Sequence, residues 1–122
     1  MPLIDVQVIL KPGETLANNF ASKIADTIGQ TMDSPPGHVW VKVTSVSRSS
    51  YAENGSTIPD KMAPIFISVL LGELPETAQL EQLSANMAAA VAAVSKRKKS
   101  EVHIVFEPAG VGRVSFAGNL MT

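Results

Sequence analysis

One hydrophobic pattern occurs twice in this chain, and the repetition restricts the fold more than any other feature. Residues 3–10 and residues 64–72 both alternate apolar side chains with a period of two, which is typical of a strand. Each of these stretches leads into apolar residues at helical spacing. A second alternating segment then follows each helical stretch, at 38–46 and at 101–107. The chain therefore repeats the order strand, helix, strand.

Two consecutive β-α-β units predict an α/β fold. The strands within each unit should be parallel, because a helical crossover joins them with a right-handed connection. The units can then join edge to edge into a four-stranded sheet with both helices on one face. We expect a single domain over residues 1–122, with pseudo-repeats at about 2–62 and 63–122.

Local signals give the expected helix bounds. Helical spacing begins at Glu14, and Gly29 is expected to end the first helix because glycine is favoured just beyond a helix C-terminus. Pro75 suits the first turn of the second helix. The segment 47–63 is rich in Ser, Asn and Gly, which predicts a loop or hairpin between the units.

The sheet face opposite the helices has no cover within this plan. Its alternating positions include more apolar residues than a solvated sheet face needs. Association with further copies of the chain is the simplest way to bury them. The apolar residues expected on this face are Ile9, Trp40, Phe66, Leu70 and Val105.

Composition excludes several classes of function. The formal net charge of −1 provides no overall field for nucleic acid or anionic membranes. The basic run Lys96–Lys99 is expected to be a solvated helix end that complements the helix dipole, and no aromatic platform accompanies it. The chain has no Cys and only 2 His, so disulfides, thiol nucleophiles and a dedicated metal site are not expected.

Neither a secretory signal nor a membrane span is expected. Asp5, Gln7 and Lys11 interrupt the apolar amino-terminal stretch, and no apolar segment approaches the ~20 residues that cross a bilayer. These features predict a cytoplasmic protein.

A family resemblance rests on Pro2 at the head of the first strand, the doubled β-α-β plan, the MDSPP turn before the second strand and the VGR segment near the carboxyl end. In these features the chain resembles the tautomerase superfamily, including macrophage migration inhibitory factor and 4-oxalocrotonate tautomerase-like proteins. The resemblance implies a homotrimer whose sheets face a common axis, with active sites at subunit boundaries. It also implies a cofactor-free site that binds a small anionic 2-oxo or enol acid.

The same resemblance implies that Pro2 is the catalytic general base. Removal of Met1 would leave a secondary amine at the start of a strand. An α-amino group titrates at about 8, and apolar or cationic surroundings favour its neutral form. A neutral amine could remove a proton beside a carbonyl and return it elsewhere. If Met1 persists, Pro2 has no free amine.

Four further residues are candidates for substrate binding. Arg113 stands where the family places a pocket-rim residue, and His103 stands where the family often has a tyrosine facing the proline. Tyr51 lies near the position of an aromatic wall in one-unit relatives, and Arg48 could reach the substrate carboxylate from a neighbouring subunit. For each, an ordinary structural or surface role is the alternative.

Departures from the family pattern narrow the reaction. Residues 68–76 lack the paired arginines found in members that dehalogenate or decarboxylate small acids, which makes hydratase-like or dehalogenase-like chemistry a lower-ranked alternative. Two hypotheses remain. The chain is either a tautomerase or isomerase, or a trimeric binding or signalling protein of the same fold with little catalysis.

Overall fold

The two strand-helix-strand units pair through their first strands in the computed structural model, which describes residues 2–122. Two short 3₁₀ turns, Arg48–Ser50 and Lys99–Glu101, supplement the main elements. These elements are β1 Leu3–Ile9, α1 Phe20–Thr31, β2 Trp40–Val46, β3 Ile65–Leu70, α2 Thr77–Ser95, β4 Val102–Phe106, β5 Ser115–Phe116 and β6 Asn119–Leu120.

The main sheet has the order β2-β1-β3-β4. Strands β1 and β2 are parallel, as are β3 and β4, whereas β1 and β3 pair antiparallel with Leu3 opposite Leu70. The predicted fold class of two β-α-β units forming a four-stranded sheet is confirmed. The antiparallel pairing places the start of β1 and the end of β3 at the same end of the sheet.

One sheet face and both helices enclose the hydrophobic core. Alternate residues of β1 and β3 are almost fully buried, because the period of two directs them to the helix-covered face. In the helices, buried residues recur every three or four positions. The most deeply buried members are Ile4, Val6, Val8, Ile24, Ile28, Ile65, Ile67, Val69, Met87 and Val91.

The expected bounds of the first helix are wrong. Helix α1 begins at Phe20, and it continues through Gly29 to Thr31. The segment before it is fixed instead by Glu14, whose carboxylate accepts a hydrogen bond from the Lys11 backbone N–H at 3.0 Å. Helix α2 begins at Thr77, close to the expected start. No helix within residues 2–122 is long and apolar enough to cross a membrane.

The basic run after α2 also departs from expectation, because Arg97 is buried while its lysine neighbours are exposed. Its Nε donates to the Ala63 carbonyl at 2.8 Å, and its two terminal nitrogens donate to the carbonyls of Ile9 and Ser95 at 2.9 Å each. The same nitrogens donate to both Glu14 oxygens, at 2.7 and 3.2 Å. All five N–H groups of the guanidinium are therefore paired.

This Arg97 cluster predicts a specific dependence of stability on acid. Partial burial alone would raise the pKa of Glu14, but the hydrogen bond from Arg97, the Lys11 N–H and both positive charges lower it below its ordinary 4.5. Because the folded-state pKa is depressed, the stabilisation is complete above about pH 4.5 and is lost as pH falls through the lower, folded-state value. In acid unfolding followed by circular dichroism, Glu14→Gln should therefore show a shallower loss of stability below pH 4.5 than wild type. Parallel curves would contradict this assignment.

Candidate functional site

Pro2 lies at the end of the sheet where β1 and β2 begin and β3 ends. Its carbonyl accepts the Trp40 backbone N–H at 3.1 Å, which joins it to the start of β2. The residue is half-buried and lines a groove of about 590 Å³. The end of α1, the connection from β3 to α2 and the first turns of α2 form the other walls.

The walls of this Pro2 groove combine apolar and polar side chains, and none of the residues 2–122 that line it is a lysine, arginine or histidine. Met32, Leu71 and Leu83 provide its apolar surface. Among residues 2–122, Glu73 is the one charged residue that lines it, and the polar walls are completed by the side chains of Thr31, Gln79, Gln82 and Asn86. Sequence reasoning missed Glu73. The signal that could have identified Glu73 is its position just after β3, the strand that ends beside Pro2.

A second cavity of about 560 Å³, the sheet-face cavity, opens at the same end of the sheet on the face that the helices leave uncovered. It carries Arg113 and Lys42 together with the acids Asp5 and Glu107. Lys42 and Asp5 form an exposed ion pair at 3.4 Å, and Glu107 accepts a hydrogen bond from the Ser68 hydroxyl at 2.7 Å. This cavity therefore holds charges of both signs.

Arg113 is brought to the Pro2 end by the turn that follows β4. Backbone N–H groups of Gly110 and Val111 donate to the carbonyls of Leu71 and Gly72, at 2.8 and 3.0 Å. The Arg113 side chain is exposed and donates to the Ala109 and Pro108 carbonyls, at 3.1 and 2.9 Å. Its Nη1 has no hydrogen-bond partner within the part of the chain described, so this nitrogen can bind an anion.

His103 lies toward the opposite end of the sheet. It pairs with Phe66 on β3, whereas Leu3, the residue after Pro2, pairs with Leu70. The four-residue separation along β3 corresponds to about 13 Å. A single chain therefore does not bring His103 and Pro2 into one site.

Tyr51 lies near His103, and Phe66 stands between them. The ring centroids of Tyr51 and Phe66 are 5.8 Å apart, and those of Phe66 and His103 are 5.4 Å apart. The Tyr51 hydroxyl donates to Glu53 at 2.6 Å, and this hydrogen bond, with burial and the nearby negative charge, raises the pKa of Tyr51. These three rings form an aromatic row in which sequence reasoning identified the outer two members but gave Phe66 no site role.

Arg48 binds its own loop. Its guanidinium donates to the carbonyls of Met62 and Pro59, at 2.8 and 2.7 Å, and more weakly to Ile58 at 3.3 Å. These bonds close the loop after β2 at the end of the sheet far from Pro2. In this arrangement both terminal nitrogens of its guanidinium are engaged by the chain, and the predicted substrate contact stays a prediction.

The uncovered sheet face retains exposed apolar side chains. Trp40 is 48% exposed and Val105 is 60% exposed. Phe116, from the hairpin of β5 and β6, contacts the Trp40 ring edge-on at 5.5 Å. Ile9 was expected on this exposed surface, but it is only 3% exposed and does not contribute to it.

No protein-family model and no curated protein matches this chain. Solved structures do match it over nearly its whole length. Pt0534 inactivated by 2-oxo-3-pentynoate is 15% identical with a TM-score of 0.75, covering 98% of this chain and 94% of that one. Macrophage migration inhibitory factor from Trichinella spiralis is 16% identical with a TM-score of 0.72, covering 97% and 98%. A fused 4-OT symmetric trimer is 17% identical with a TM-score of 0.75, covering 98% and 94%.

Proposed function

We propose that this chain, which has the fold of the tautomerase superfamily, moves a proton within a small 2-oxo or enol acid without a cofactor. Pro2 is the general base in this proposal. The observation that carries it is the position of Pro2, which heads β1 in the Pro2 groove at the end of the sheet that also holds Arg113. Met1 lies outside the described residues, and its removal is part of the proposal.

The chemistry requires a base and a counter-charge. The neutral secondary amine of Pro2 removes a proton from the carbon beside the substrate carbonyl, and the resulting ammonium returns it at the other end of the enol system. Arg113 offers Nη1 to the substrate carboxylate. The carbonyl oxygen gains negative charge during this transfer, so a hydrogen-bond donor such as His103 would lower the barrier.

Since His103 and Pro2 lie at different ends of one chain, we place the site between subunits of a homotrimer. The exposed apolar side chains Trp40 and Val105 supply surface for association. The fused 4-OT neighbour is a symmetric trimer. In a closed ring of copies, the aromatic row of one subunit can face the Pro2 end of the next.

The test is an ultraviolet assay of phenylpyruvate tautomerisation, preceded by intact-mass analysis that establishes whether Met1 is absent. Turnover by protein that begins at Pro2 supports the proposal. Absence of turnover by that same protein contradicts it. That outcome favours the second candidate, a binding or signalling protein of the same fold. One observation also favours this candidate, namely the lack of a cation along the described walls of the Pro2 groove.

A mixing experiment tests the position of the site between subunits. Pro2→Ala chains and His103→Ala chains are co-expressed with different carboxy-terminal tags, and the mixed oligomers are purified through both tags. If each site takes Pro2 from one chain and His103 from its neighbour, every trimer that carries both tags has the wild-type pair at one of its three sites, so about a third of the sites are restored. Activity should then exceed that of either parent variant. Activity no higher than the parents' average would contradict a site that combines Pro2 and His103 from neighbouring subunits.

A further inference from the structure

We infer that the Pro2 groove receives the uncharged end of a monocarboxylate substrate and that Glu73 makes it reject a second carboxylate. The inference rests on the proposed function, because it takes the groove as part of the Pro2 site. It adds the class of 2-oxo acid, namely one with a single carboxylate and an apolar or aromatic substituent.

The first step of the argument is the charge of the groove. Glu73 is exposed and is the one charged side chain among its described walls. No lysine, arginine or histidine within residues 2–122 lines the groove to offset this carboxylate. A second negative charge placed there would be repelled without a compensating cation.

The second step is the size and polarity of the remaining walls. A volume of about 590 Å³ accommodates a ring or a branched alkyl group. Met32, Leu71 and Leu83 offer apolar contact, while Gln79 and Gln82 offer uncharged donors and acceptors. These walls suit a neutral substituent.

The third step is the position of the cations. Arg113 and Lys42 both line the sheet-face cavity, and adjacent residues at the start of β1 line this cavity and the Pro2 groove. Pro2 lines the groove, whereas Leu3 lines the sheet-face cavity. At the end of β3, Leu71 lines the groove and Leu70 lines the cavity. A substrate that spans Pro2 would therefore direct its carboxylate toward Arg113 and its other end into the groove.

Kinetic comparison of two substrates tests the inference. The enol of phenylpyruvate has one carboxylate, and 2-hydroxymuconate has two. We expect wild type to have the higher kcat/KM on the first, and Glu73→Lys to raise kcat/KM on the second by about tenfold relative to the first. Glu76→Lys is the matched control, because it makes the same change of charge at a residue that is exposed, lies three residues away and does not line the groove. It should leave the ratio of the two substrates unaltered.

A binding measurement separates this inference from the proposed function. The chain has 1 Trp, and Trp40 lines the sheet-face cavity, so its fluorescence can report binding of phenylpyruvate and of 2-oxoadipate. Tighter binding of phenylpyruvate, weakened selectivity in Glu73→Lys and no turnover would support the inference and overturn the proposed catalysis. Equal binding of the two acids, preference for the diacid, or no binding of either would overturn the inference.

Discussion

Replacing Pro2 by Ala is expected to lower kcat/KM for phenylpyruvate tautomerisation by about 100-fold, near the low end of a general-base contribution. The variant still offers a terminal amine after loss of Met1. However, this primary amine lacks the ring that fixes the direction of the Pro2 lone pair. Blocking the amine altogether, with an uncleaved amino-terminal extension, should remove the larger part of a contribution that reaches about 10,000-fold.

The control for this prediction is Pro12→Ala. Pro12 is exposed in the loop after β1, at the other end of the sheet, so its replacement should leave kcat/KM within about twofold. Circular dichroism and intact mass would establish that each variant is folded and lacks Met1. Equal activity of wild type, Pro2→Ala and the blocked protein would contradict the role of Pro2 in proton transfer.

Replacing Arg97 by Ala is expected to lower the free energy of unfolding by about 3–5 kcal/mol, because it breaks a buried ion pair from one side. The substitution leaves the carbonyls of Ile9 and Ala63 without their Arg97 donors. The Glu14 carboxylate keeps only the Lys11 backbone N–H of its donors. Urea unfolding at pH 7 and a fixed protein concentration measures the change.

Two comparisons show whether the Arg97 cluster causes this loss. Lys99→Ala removes an exposed cation two residues away and should change the free energy of unfolding by less than about 0.5 kcal/mol. Arg97→Lys keeps the charge but replaces five donors with three, so it should give an intermediate loss and remain measurable if the alanine variant does not fold. A loss in Arg97→Ala no larger than that in Lys99→Ala would contradict the prediction.

The strands and their faces could be predicted from the sequence because alternation depends mainly on burial of one sheet face. Val6 and Val8 point to the helices, and Trp40 lies exposed on the other face, as a period of two requires. The repeat also predicted that each unit is parallel within itself, since a helical crossover permits little else.

Local sequence signals could not predict where α1 begins or which residue of the basic run is buried. Glu14 lies at the start of a stretch whose apolar residues have helical spacing. Its carboxylate nevertheless binds Arg97, which lies 83 residues later. Arg97 stands in a run with lysines, and only the meeting of the α2 end with Ile9 and Ala63 selects it for burial. Such long-range pairs leave no periodicity in the sequence.

The sequence by itself determined the duplicated β-α-β plan and the place of Pro2 at the head of a strand, because both follow from spacing along the chain. Only the tertiary structure decided which candidates share an end of the sheet. The antiparallel register of β1 and β3 puts the turn that carries Arg113 at the same end of the sheet as Pro2, and it puts His103 and Tyr51 toward the other end. The register between distant strands depends on packing across the core, and this register fixes the geometry of the site. The spacing of residues along the chain does not determine it.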